Sequence, residues 1–94
     1  MKSYMALRRD LHQHPEVGLN LPWTQQRIVD ALSGLPLEVK TGQRSSSIIA
    51  LLRGASTPDQ QDRPIVLLRA DMDGLPIEEQ VDVPWRARNG FMHA

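Results

Sequence analysis

Ninety-four residues, 40% of them apolar and 23% charged, allow at most one small globular domain. Eleven basic and eleven acidic side chains cancel, so no net field draws the chain toward nucleic acid or an anionic membrane. The lack of cysteine excludes disulfides and thiolate metal ligands within these residues.

The first ten residues, MKSYMALRRD, lack the roughly seven consecutive apolar residues of a signal peptide. No apolar run approaches the ~20 residues of a membrane span. A cytoplasmic address is therefore the default. Residues 3–13 predict a helix, because Tyr4, Leu7 and Leu11 form a stripe at helical spacing while Arg8, Arg9 and Asp10 face water. Pro15 pushes His14 out of the helical region and ends it. Pro22 suits the first turn of a second helix, whose stripe is Thr24, Ile28, Ala31, Leu32 and Leu35, with Gly34 as its stop.

Three strands are expected next. Leu37 to Thr41 alternates, whereas Ser46–Arg53 and Pro64–Ala70 carry continuous aliphatic runs that imply burial on both faces. The polar stretch between the last two is too short for a parallel crossover, so they are expected to pair antiparallel as a hairpin. Residues 81–94 read as irregular or short-stranded, since Pro84 opposes a central strand. The expected fold class is α/β: two N-terminal helices on a partial mixed sheet containing an antiparallel hairpin. Nothing in the sequence covers the sheet's second face.

Asp71 and Asp73 follow the aliphatic run, where strand ends in α/β proteins open on a crevice. Two residues apart on a strand, they share a side with each other and with Arg69, which is a candidate counter-charge. Support of a metal site and simple Asx-turns ahead of Gly74 and Pro76 both fit this spacing. His12 and His14 do not share a helical face, and capping or packing is the expected role of each. Glu78 and Glu79 read as a solvated turn. Ser45 to Ser47 have no nearby base and are not a nucleophile.

Three segments carry a further signal: RRDLHQHPEVG at Arg8–Gly18, LLRADMDGLPIEE at Leu67–Glu79, and NGFMHA at Asn89–Ala94. In this order they resemble the N-terminal part of the aminoacylase/carboxypeptidase family of metal-dependent amidohydrolases, in the branch of hippurate and indole-acetyl-amino-acid hydrolases. The resemblance implies an incomplete portion of a three-layer metallopeptidase catalytic domain, residues 1–94, cut before the metal-ligand motif. In that branch M-H-A is followed by C-G-H-D, which supplies metal ligands.

The implied activity is metal-assisted hydrolysis of the amide bond of N-acyl amino acids or peptides, with zinc, manganese or cobalt in the intact family member. Only Asp71 matches a family site residue, in a supporting role. Arg69 stands where much of the wider family has a metal-binding histidine. No metal ligand and no cofactor-binding residue is therefore assigned, and the chain alone is expected to be inactive. A homodimer is implied for the full-length protein, and neither nucleic acid nor membrane is expected as a partner. The rival expectation is a non-catalytic interaction module or an inert truncated product, its uncovered sheet face serving as a sticky surface.

Overall fold

The computed structural model describes residues 4–54 and 64–94. Helix α1 spans Tyr4–Gln13 and helix α2 spans Pro22–Leu32; strands β1, Glu38–Thr41, and β2, Ile48–Leu51, follow. Pro22 occupies the first turn of α2 as its missing N–H predicts. Gly34 takes a φ of +85° just beyond that helix, a conformation that favours glycine. Leu35 lies past the end of α2 and is exposed, so it is not part of the helical stripe.

β1 and β2 form an antiparallel pair, with Glu38 opposite Leu51 and Thr41 opposite Ile48. This corrects the expected pairing. Ser46–Arg53 does contribute a strand, Ile48–Leu51, but its partner is the preceding strand, to which the short GQRSSS loop joins it. Pro64–Ala70 forms no strand, and the connection at 55–63 lies outside the described residues. Ile65, Val66, Leu67 and Leu68 are 84–91% exposed. A run that is apolar on both faces needs a covering layer on each side, and the described residues supply neither. Among the described residues the sheet is thus two-stranded rather than mixed, and β1 and most of β2 are exposed.

The hairpin hangs from the helical part through Ser46. Its N–H donates to the Leu19 carbonyl at 2.9 Å, while its hydroxyl accepts the Leu21 N–H at 2.7 Å. That accounts for the burial of Ser46. No helix among the described residues is long and apolar enough to cross a membrane.

The tightly packed region lies elsewhere, around the loop His14–Gly18. Pro15 is fully buried, and Leu21, Thr24, Glu79 and Ala87 are buried around it. Gly74 sits where three segments cross: a Cβ there would come within 2.9 Å of the Met92 carbonyl oxygen and 3.0 Å of Pro15 Cβ. Leu75 and Met92 exchange both main-chain hydrogen bonds, at 2.7 and 3.0 Å, as an isolated antiparallel bridge.

Candidate functional site

The bonds around His12–Glu16 join all three segments that carry the family resemblance. The Gly74 N–H donates to the Glu16 carbonyl at 2.7 Å, bringing in the aspartate turn. Asn89 Nδ2 donates to the Pro15 carbonyl at 2.8 Å, bringing in the C-terminal segment. The Glu16 carboxylate caps α2 from outside it, accepting the Thr24 N–H at 2.7 Å and the Trp23 N–H at 3.4 Å. The N-cap residue itself, Leu21, makes no side-chain cap, so a negative group at this helix start replaces one.

His12 and Glu79 form a part-buried polar contact between residues 67 apart in the chain. Nε2 of His12 lies 2.7 Å from Glu79 Oε1, and Oε2 of Glu79 accepts the Ala87 N–H at 2.6 Å. Only 3% of the Glu79 side chain is exposed. This corrects the expectation of a solvated Glu78–Glu79 turn: Glu78 is exposed, but Glu79 points inward. Buried carboxylates persist when fully hydrogen-bonded, and both Glu79 oxygens are. The bond from His12 and then that from Ala87 hold its carboxyl below the usual range.

A folded-state value below the unfolded one means that this stabilisation is complete above about pH 4 and is lost as pH falls through the lowered value. Thermal melts should therefore show a falling midpoint on acidification below that point, and the Glu79→Gln chain should show a shallower fall over the same interval.

His14 also has partners within the fold. Its Nδ1 lies 2.9 Å from the Asp10 carbonyl, and its ring packs on Trp23 with centroids 4.3 Å apart. Both N-terminal histidines therefore serve packing and hydrogen bonding, as their spacing suggests. Arg9 lies over the Trp85 ring, 3.7 Å from its centre, and fastens α1 to the 79–87 strap.

Asp71 lies in the wall of a cleft of about 330 Å³ formed by α1, α2, the interior of the second segment and the end of the third. Its Oδ1 meets Arg69 Nη2 at 3.0 Å, the same-side pairing that a two-residue period predicts, with both side chains largely exposed. Met72, His12 and His93 line the same cleft. The main chain of Asp73 accepts a hydrogen bond from the His93 ring, and His93 Nε2 is buried without a partner. The bonded nitrogen is therefore Nδ1. Burial, and secondarily the His12 charge, push His93 below the usual histidine value.

No group of three or more His, Asp or Glu side chains that could hold a metal occurs among the described residues. His12 Nε2 is committed to Glu79 and Asp71 to Arg69, so the donor atoms present here do not fit a metal by themselves. Asp73 and Gly74 shape the turn against Pro15 and Met92.

Similarity to curated proteins runs along the same three segments and beyond them. The chain is 43% identical over 95 residues to N-acetyldiaminopimelate deacetylase of Anoxybacillus flavithermus, covering 97% of this chain and 23% of that protein. It is 39% identical over 95 residues to the Brevibacillus brevis protein of the same name, again across 97% of this chain and 23% of the relative. With N-acetylcysteine deacetylase of Bacillus subtilis it shares 36% identity over 90 residues, 94% of this chain and 22% of the relative.

Over nearly its whole length the chain is similar to these deacetylases. It spans about 23% of the length of the first of these relatives. No family model matches the chain, and no solved structure matches it. The matched stretch covers 97% of the chain in the first two relatives, and the fold shows the aspartate turn, the HQHPE loop and the NGFMHA segment bonded to one another.

Proposed function

We propose that residues 1–94 form the N-terminal portion of the catalytic domain of a cytoplasmic amidohydrolase that cleaves the amide bond of small N-acyl amino acids. The observation that carries this reading is the joining of the three family segments around His12–Glu16, which brings Asp71 and His93 to one cleft. The names of the relatives, deacetylases of N-acetyldiaminopimelate and N-acetylcysteine, supply the substrate class.

A divalent metal held in the whole protein by residues other than those described here would supply Lewis-acid chemistry toward the amide carbonyl and a water. The three-layer domain and the homodimer of the whole protein belong to the same reading. Within the chain, Asp71 supports the metal site from outside its donor set, as carboxylates that orient metal-binding groups do.

The test is a chimera in which residues 1–94 replace the matching segment of the Anoxybacillus flavithermus deacetylase. Hydrolysis of N-acetyldiaminopimelate by the chimera supports the reading, and Asp71→Asn should then lower kcat by about 10- to 100-fold. A folded, metal-loaded chimera without activity overturns it.

One observation favours a second reading, that of an interaction module: the exposure of Ile65 to Leu68. Four uncovered aliphatic side chains in a row make an adhesive surface. The isolated chain should then bind an apolar dye and elute larger than a monomer, and Leu67→Lys should reduce both effects.

A further inference from the structure

Glu79 touches neither the cleft nor Asp71, yet three consecutive attachments of the C-terminal segment begin with it. Ala87 is held by Glu79 Oε2, Asn89 by the Pro15 carbonyl, and Met92 by Leu75. His12, the other partner of Glu79, lines the cleft together with His93. The His93 ring is bonded in turn to the main chain of Asp73, two residues from Asp71.

We propose that Glu79 is a positioning residue for the cleft: through His12 and Ala87 it fixes Met92–Ala94, and the His93 ring with it, against the Asp71–Asp73 turn. The proposal rests on the amidohydrolase reading for its functional meaning but not for its geometry. A buried carboxylate with both oxygens bonded to separate segments sets their separation more tightly than an apolar contact, because hydrogen bonds are directional. His93 shares its cleft with His12 and Arg8 from α1 and with Asp71, and its ring is bonded to the main chain of Asp73.

The experiment labels the histidine rings of the 94-residue chain with nitrogen-15 and follows His93 and the amide of Met92 by NMR. In the native chain His93 should carry its proton on Nδ1, and the Met92 amide should be protected from exchange. Glu79→Leu keeps the volume and removes both acceptors; it should lose the fixed Nδ1–H form and lower Met92 protection about tenfold. Glu79→Gln should restore both, since its carbonyl can accept from Ala87 while its amide donates to the His12 ring.

If Glu79→Leu does not fold, His12→Phe breaks one of the two bonds and gives the same readout. A folded Glu79→Leu or His12→Phe chain with an unchanged His93 tautomer and unchanged Met92 protection overturns the proposal. In an active chimera, Glu79→Leu should depress kcat with little change in KM. An inactive parent chimera would count against the amidohydrolase reading alone, because the NMR result stands apart from it.

Discussion

Replacing Gly74 by valine should destabilise the chain by about 1–3 kcal/mol, the range for forcing extra atoms into a closed contact. Even the first added carbon would come within 2.9 Å of the Met92 carbonyl oxygen, and that oxygen belongs to main chain. The opposing wall is Pro15, which is itself fully buried. Neither neighbour can rotate away, so the 74–75 and 92 segments must separate and the Leu75–Met92 bridge must open. Urea unfolding would show the change as a lower midpoint, and Gly74→Ala should show a smaller shift in the same direction. Equal stability of all three chains would mean that the crossing is looser than the distances indicate.

The second large effect is expected at Glu16. Its carboxylate takes two of the N–H groups that every helix start leaves without a partner, at Trp23 and Thr24. Substitution by alanine removes that cap and a negative charge placed at the positive end of α2, which should destabilise by about 0.5–2 kcal/mol. Glu16→Gln keeps an acceptor oxygen and should lie between the two. Far-UV circular dichroism would report it as a loss of helical signal on warming that sets in earlier for alanine than for glutamine. The main-chain carbonyl of Glu16 bonds Gly74, so fraying at this point also loosens the aspartate turn.

Local pattern was enough for the helices. The stripe of Leu7 and Leu11 and the prolines at 15 and 22 mark α1 and α2 closely, because the signals are confined to neighbouring residues. It was enough, too, for the Arg69–Asp71 pair, which needs only a period of two. Pairing of strands is another matter. A continuous aliphatic run such as Ile65–Leu68 records that burial is wanted but not by what, and the described residues leave it uncovered.

The burial of Glu79 escapes local pattern for a similar reason. Beside Glu78 it has the same residue type and the same turn context, and its contacts with His12, 67 residues earlier, and with the Ala87 N–H distinguish it. A hint was present in the sequence: His12 falls on α1 within the segment that resembles the family, without a metal-binding partner at helical spacing. The family resemblance located the site's three segments, while the bonding pattern shows what their non-ligand residues do.

The central physical claim is that these distant segments are closed upon one another by main-chain and buried side-chain hydrogen bonds. Amide hydrogen exchange of the 94-residue chain tests it most directly, at Gly74, Leu75, Ala87 and Met92, whose N–H groups donate to Glu16, Met92, Glu79 and Leu75 respectively. The account predicts that all four exchange slowly and lose protection together under mild denaturant. Exchange of these four amides at the rate of a free peptide, with α1 and α2 still helical, would contradict it.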